Sequence, residues 1–434
     1  MVRGDFVKVS KIMTKKKIVV ASCALMLCNI PPASGGTNTE DVEQLKKQIQ
    51  LLLEQNRELN ERLTVMEKNV QSPGKPLAGK DEAGAEISPH NPEDGRDAGG
   101  GEEGNPGSSK ISEYLNLTGL IEGIFSTSKA FDGNNTSELA LDKVELVLNA
   151  RATEWAAGKI VIDYDGDDDD RLYIDEAHIT LGGSESFPLH VTIGKIYAPF
   201  GDFSTNMIQD PLTQTLGEVN TKGVIAGFER KGFSAALFSY NGFNESSDPS
   251  DEGNDTINGF GGSVAFTYGD DDLGFDAGAA WINDIADSGA ITDYLEAQGM
   301  YSVASQTGGI NAHFNGHVKG GSLLAEYVAA LDDFRYDELA DGDSGGRPGA
   351  SNVELSYGMV VMDKQTILAL GYQRSWEALA LELPEQRCLA SLSVVLFDGT
   401  TVSFEYYRDR DYSVEDGGTG EDGYGFSTKL AYEF

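Results

Sequence analysis

From about residue 113 onward, hydrophobic and polar positions alternate along most of this chain, and the stretch from Leu189 to Gly232 shows the pattern best. Leu189, Val191 and Ile193 occupy one face against His190, Thr192 and Gly194, the two-residue period of a half-buried strand. Val224, Ala226 and Phe228 alternate in the same way with Gly223, Gly227 and Glu229. The residues between contain Pro199, Gly201, Pro211 and Gly217, and they are too many for a tight turn. Lys231-Gly232 does read as one, with a new alternating run beginning at Phe233. A strand therefore enters a long loop, and the next strand returns to a short turn.

That asymmetry recurs. Alternating segments fall at 113–126, 138–151, 153–164, 172–182, 188–198, 222–231, 233–241, 257–269, 273–283, 307–318, 322–331, 352–363, 366–375, 387–397, 401–409 and 423–434. Each is close to the ~10 residues that a tilted strand needs to cross a bilayer. Lys231-Gly232, Lys319-Gly320-Gly321 and Asp398-Gly399-Thr400 join alternate pairs, whereas 242–256, 284–306, 332–351 and 410–422 are long and acidic. Loops sorted by length onto two ends predict an outer-membrane barrel; a soluble sandwich or propeller has no reason to sort them. The faces agree. Val144, Leu146 and Leu148 alternate with Lys143, Glu145, Asn149 and Arg151, and Val353, Leu355, Tyr357 and Met359 with Glu354, Ser356 and Gly358, which suits lipid outside and water inside. Trp155, Tyr197, Phe228, Trp281, Tyr357 and Tyr432 fall near segment ends, where aromatic girdles sit. The expected fold is all-β, a transmembrane antiparallel up-and-down barrel of about sixteen strands over 112–434. With the first strand starting in the periplasm, an even count returns the chain end there and leaves the long loops outside the cell.

A different period precedes the barrel. Val42, Leu45, Ile49, Leu52, Asn56, Leu59, Leu63, Met66 and Val70 follow alternating steps of three and four, the a/d seam of a heptad with an amide at one a position. Residues 36–70 thus read as an α-helical coiled coil that self-associates, or as one amphipathic helix packed on another domain. Residues 71–111 are rich in Gly, Pro, Asp and Glu with few large apolar side chains and read as a disordered linker. Ahead of them, Lys15-Lys16-Lys17, the apolar run Ile18–Ile30 and Ala33-Ser34-Gly35 compose a signal peptide over 1–35, with Met13 a possible start. The apolar run is too short for a transmembrane helix. Cys23 and Cys28 would leave with the signal, so Cys388 alone would remain and no disulfide framework exists.

Composition then narrows the function. With 33 Lys and Arg against 70 Asp and Glu, the net charge is −37 over 434 residues, which excludes nucleic acid as a natural partner. A mean hydropathy of −0.30 excludes a polytopic helical membrane protein but not a barrel, where only alternate residues face lipid.

The block Gly194-Lys195-Ile196-Tyr197-Ala198-Pro199-Phe200-Gly201, with Asp210-Pro211-Leu212-Thr213 and Leu216-Gly217-Glu218, resembles the LbtU-type siderophore porin family of Gram-negative outer membranes. The order of signal peptide, coiled coil, linker and barrel resembles that family as well. The terminal Tyr432-Glu433-Phe434 is similar to the signal read by the barrel-assembly machinery. The resemblance implies uptake of a ferric siderophore across the outer membrane. It implies no binding residues, and the chain calls for no cofactor.

Candidate pore-lining residues are Lys143, Glu145 and Arg151 on the polar row of the second segment, Lys195 in the quoted block, and Asp202, Asp210 and Glu218 in the loop 199–220. Its prolines fix φ and its glycines permit bends, so this loop is expected to be ordered. It either folds into or over the lumen as a constriction, or remains an extracellular loop or subunit contact. In both cases it is expected to carry few of the barrel's stabilising contacts. Asp163, Asp165 and Asp167 to Asp170 read as an acidic loop that could hold a hard cation but is more simply a solvated face. His178 and His190 are expected as cross-strand neighbours, while His313 and His317 stand too far apart along a strand to share an ion; no metal ligand is assigned. No G-x-S-x-G elbow or similar local nucleophile motif is present, and sixteen strands leave room for a channel. The chain reads as a homo-oligomeric porin rather than an enzyme. A general or cation-preferring diffusion porin is the alternative to siderophore uptake, and a surface adhesin is a third class.

Overall fold

The computed structural model describes residues 114–165, 171–184, 186–243, 256–270 and 272–434. The expected signal peptide, coiled coil and linker lie outside the described residues, as do Asp167 to Asp170. In chain order the strands are β1 (Leu115–Lys129), β2 (Asn135–Thr153), β3 (Ala156–Asp165), β4 (Leu172–Ser184), β5 (Phe187–Tyr197), β6 (Asn220–Arg230), β7 (Phe233–Asn241) and β8 (Ile257–Gly269). They continue with β9 (Leu273–Ile282), β10 (Gly309–Val318), β11 (Gly321–Ala330), the small ribbon β12 (Ala340–Asp341) and β13 (Ser344–Gly345), then β14 (Gly349–Val361), β15 (Lys364–Trp376), β16 (Gln386–Phe397), β17 (Thr400–Arg410) and β18 (Asp422–Glu433). All but β12 and β13 pair antiparallel with their neighbours in one closed barrel of sixteen strands. Closure is made by β1 against β18, from Leu120 opposite Glu433 to Lys129 opposite Tyr424. A lipid core offers no partner to an unpaired N–H or C=O, so only a closed sheet can stand in it.

The outward row is apolar and open to its surroundings: Leu117, Ile179, Leu237, Leu355, Leu370 and Leu430 are all exposed. Short turns close one end. Lys231-Gly232 has φ of 53° and 80°, and Lys319-Gly320 has 47° and 85°, the two positive φ values of a type I′ turn, whose twist matches its strands. Gly232 has no alternative, since a Cβ there would lie 2.1 Å from the Thr267 carbonyl oxygen.

The apolar core lies at the other end, among the loops. Phe200, Leu212, Leu216 and Val219 from the 198–219 loop pack with Phe238, Tyr240, Ile282, Ile285, Ile291, Leu295, Val328, Phe334, Leu339, Leu381 and Leu383. Two short helices feed it. Helix α1 (Leu212–Gly217) follows Pro211 at φ −68°, a residue whose missing N–H is harmless at a helix start. Helix α2 (Gly289–Ala297) buries Ile291 and Leu295, four residues apart and so on one face. The backbone N–H of Gly289 donates to the Glu218 carbonyl at 3.1 Å, tying α2 to the end of α1. Both helices fall where the sequence reads as loop; α1 is too short to show a period, and the apolar positions of α2 are too few.

Candidate functional site

The 198–219 loop turns into the barrel. It leaves β5 and returns to β6, yet its middle is hydrogen-bonded to β11 and to β14 through β17, and β15 stands diametrically across the closed order from β5. The loop therefore crosses the lumen. A segment that leaves the sheet must find new acceptors for its backbone N–H groups wherever water is scarce, and here inward-facing carboxylates supply them. Glu326 on β11 accepts from the N–H of Asp202 at 3.0 Å and of Phe203 at 3.2 Å, from the Thr213 hydroxyl at 3.1 Å and from the Asn311 amide at 2.8 Å. Glu354 on β14 accepts from the Thr205 hydroxyl at 2.7 Å, the Asn206 N–H at 3.0 Å and the Asn206 amide at 2.5 Å. Glu405 on β17 accepts from the N–H of Ile208 at 2.6 Å and of Gln209 at 3.2 Å. Gln373 on β15 takes the Leu212 N–H at 3.2 Å, and the Ser391 hydroxyl on β16 donates to the Asn206 carbonyl at 2.9 Å. Glu354 and Glu405 are each 1 % exposed. Charge-assisted bonds of this kind are about twice as strong as neutral ones.

Apolar contacts complete the anchorage. Met207 packs on Ala369 and Leu389, and Phe200 and Leu216 are fully buried. Gly201 makes room for Phe203: a Cβ would come within 2.2 Å of the Phe203 ring, which would have to shift. The expectation that the loop carries few stabilising contacts is thus corrected, because its apolar residues belong to the largest core of the described chain.

The end of the loop at Glu218 lies near Lys143 and Asp175 of the β2–β4 wall. Lys143 on β2 pairs with Asp163 on β3 at 3.0 Å and with Glu145 at 3.3 Å. Asp175 on β4 accepts from the Tyr197 hydroxyl at 2.8 Å and the Asn220 amide at 2.9 Å. Glu218, at the end of α1, accepts from the Gln214 amide at 3.1 Å. Burial pushes the Glu218 carboxyl up to about 7; the Gln214 bond opposes this, the charges of Asp210 and Asp175 add to it, and Lys143 acts against it. These groups therefore share one neighbourhood. One Asp163 carboxylate oxygen and the Asn220 side-chain oxygen are buried without a hydrogen-bond partner. Further around the lumen, Lys159 pairs with Glu176 at 2.5 Å, Lys429 with Glu122 at 3.1 Å, and Arg387 with Asp409 through two bonds of 2.8 and 2.9 Å.

Of the candidate residues, the fold brings Lys143, Glu145, Asp210 and Glu218 together. Asp202 sits elsewhere on the loop, with its carboxylate accepting from the Asn315 amide. Lys195 falls in the row of Leu189, Val191 and Ile193, donates to the Ile174 carbonyl at 2.8 Å and lies over the Tyr173 ring. Arg151 is exposed near the Glu154-Trp155 turn, at the C-terminal end of β2, whereas Lys143 lies in the middle of that strand. Asp163 does not belong to an acidic loop: it lies within β3 and is 3 % exposed. His178 and His190 are not cross-strand neighbours either, since the register sets Gly194 opposite His178 and Gly182 opposite His190. Among the described residues no group of His, Cys, Asp and Glu is arranged to hold a metal ion. The sequence reading did not assign Glu326, Glu405 and Gln373 a role. Glu326 is a lone carboxylate in the run Leu323-Leu324-Ala325-Glu326-Tyr327-Val328, whereas Glu405, with Ser403 and Asp409, and Gln373, with Ser375, merge into the ordinary polar row of their strands.

No family model matches the chain. A UPF0422 protein of Coxiella burnetii (strain RSA 493 / Nine Mile phase I) is 27 % identical over 306 residues, 68 % of this chain and 64 % of that protein. The chain thus spans less than two thirds of that relative's length. OprB of Pseudomonas putida superposes with a TM-score of 0.54 at 11 % identity, covering 75 % of this chain and 96 % of the other. The outer membrane channel DcaP of Acinetobacter baumannii gives 0.49 at 14 % identity over 74 % and 97 %. The closed wall of sixteen strands, its apolar outer face and the fold shared with OprB make this chain an integral outer-membrane β-barrel.

Proposed function

We propose that the chain is a diffusion porin whose inward loop narrows a water-filled lumen and biases it toward cations. The observation that carries this reading is the loop crossing the barrel and clamped to the far wall by Glu326, Glu354 and Glu405. A segment held at both ends and in its middle can act as a fixed size filter, and carboxylates around an opening raise the local concentration of cations. Uptake of a ferric siderophore is the narrower reading, and it rests on the resemblance of the 194–218 block. Reconstitution of the purified protein in planar bilayers tests both. The porin reading expects discrete ohmic steps and, in a potassium chloride gradient, a reversal potential of cation-selective sign. The siderophore reading expects a ferric siderophore to interrupt those steps. Anion selectivity would overturn the first, and unperturbed steps would remove the second.

A further inference from the structure

We infer that the opening between the inward loop and the β2–β4 wall binds an organic cation in transit, a solute bearing a primary ammonium or guanidinium group. This rests on the porin reading and names the solute class it selects. Glu145, Asp163, Asp175 and Glu218 meet there, and Lys143 is already engaged by two of them, at 3.3 Å and 3.0 Å. The carboxylates alone would indicate only a solvated acidic surface. Two further observations point to a donor. Asp163 is 3 % exposed and one of its oxygens has no hydrogen-bond partner, although buried acceptors are nearly always satisfied. The Asn220 side-chain oxygen is orphaned as well, while the amide of the same side chain holds Asp175 at 2.9 Å. The site thus presents two buried acceptor oxygens that neither Lys143 nor the Asn220 amide satisfies.

The chemistry of the missing donor follows. Calcium needs six to eight oxygens converging at close range, and no such group of side chains exists among the described residues. An ammonium brings three donors and a guanidinium five, spread in direction, which suits acceptors distributed over two walls. An anion would have to displace Asp163 or Glu145 from Lys143. Glu218 stands on the loop and Asp163 on the wall, so a solute that bridges them is held between loop and wall.

The test uses the full-length protein in planar bilayers at pH 8, with spermidine added on the loop side and magnesium chloride at the same charge concentration as the control. Spermidine is expected to interrupt the current in a concentration- and voltage-dependent manner, and magnesium far less. Asp163→Asn and Glu218→Gln are each expected to weaken the block about tenfold, the factor for losing about 1.4 kcal/mol. Heat-modifiable migration on gels reports that each barrel is closed. Should Asp163→Asn fail to close because Lys143 loses a partner, Glu218→Gln decides, since its carboxylate forms no ion pair with Lys143 within bonding distance. Equal block by magnesium and spermidine, or block unchanged in the closed variants, overturns the inference. A conducting channel indifferent to spermidine overturns it while leaving the porin reading intact, whereas a barrel that never conducts removes both.

Discussion

Replacing Glu354 by Ala removes the acceptor for the Asn206 N–H at 3.0 Å, the Asn206 amide at 2.5 Å and the Thr205 hydroxyl at 2.7 Å. A hydrogen bond to a charged group contributes about 1.5–3 kcal/mol. All three bonds are lost, but lumen water can enter to satisfy much of the deficit, so the local loss is about 2–4 kcal/mol. The barrel wall keeps its ladder hydrogen bonds, and Glu326 and Glu405 still hold the loop on either side. The tip around Met207 should therefore open locally without global unfolding. Met207 is 8 % exposed, so a cysteine placed there is shielded from maleimide until the tip opens. In a background without the exposed Cys388, labelling of Met207→Cys should accelerate about 30-fold to 700-fold when Glu354→Ala is added, at 1.4 kcal/mol per decade. Open-channel current noise should rise in parallel. An acceleration below about threefold would mean that the carboxylate contributes less than about 0.7 kcal/mol, and the clamp reasoning would fail.

The ionisation of Glu218 should be visible in selectivity. With its carboxyl near 7 against an ordinary 4.5, the proton-linked stability is complete below about 4.5 and is lost as pH rises through about 7. Over the same range the opening gains a negative charge. Cation preference read from the reversal potential should accordingly increase from pH 6 to pH 8 and stay flat in Glu218→Gln; an equal increase in the variant would assign the effect to another group. Orientation is tested by epitopes inserted at Asp343, in the β12–β13 ribbon, and at Gly320, in a short turn. Antibody should reach only Asp343 on intact cells, and binding at Gly320 would invert the topology. A peptide covering 40–71 should self-associate through its heptad seam, with Asn56→Leu raising stability but loosening the oligomer number; a monomeric, unfolded peptide at high micromolar concentration contradicts the coiled coil.

The barrel was legible because each strand solves a local problem in a fixed way. A strand between lipid and water must alternate, and a type I′ turn needs residues that accept positive φ, so the sixteen segments and the two loop classes appear in the sequence itself. The inward path of the 198–219 loop was legible only as one of two alternatives. Its prolines and glycines announced order, but the direction is set by acceptors more than a hundred residues away, on strands whose own pattern is satisfied with or without the loop. Glu326, Glu354 and Glu405 look like ordinary lumen carboxylates until the loop donates to them. The acidic run after β3 misled for the opposite reason. Asp163 is adjacent in sequence to loop aspartates, and only the register with Glu145 moves it into the wall.

The block that carries the family resemblance also proves to be mainly architecture. Ile196, Ala198, Phe200, Leu212, Thr213 and Leu216 are all buried, Gly201 makes room for Phe203, and Pro211 starts α1. These residues turn the loop inward and hold it there; apart from Glu218 and the exposed Asp210, few of them can meet a solute. Chains that share the block would then share a constriction without sharing a cargo. On the proposed porin reading, the side chains left to select a solute would be those on the facing wall, Lys143, Asp163 and Asp175, together with the two loop carboxylates. Their identities are free to vary, because the strand pattern asks of them only that they be polar and face inward. Transplanting the facing-wall residues between two barrels with the same block should therefore move solute preference, whereas transplanting the block itself should move only pore size.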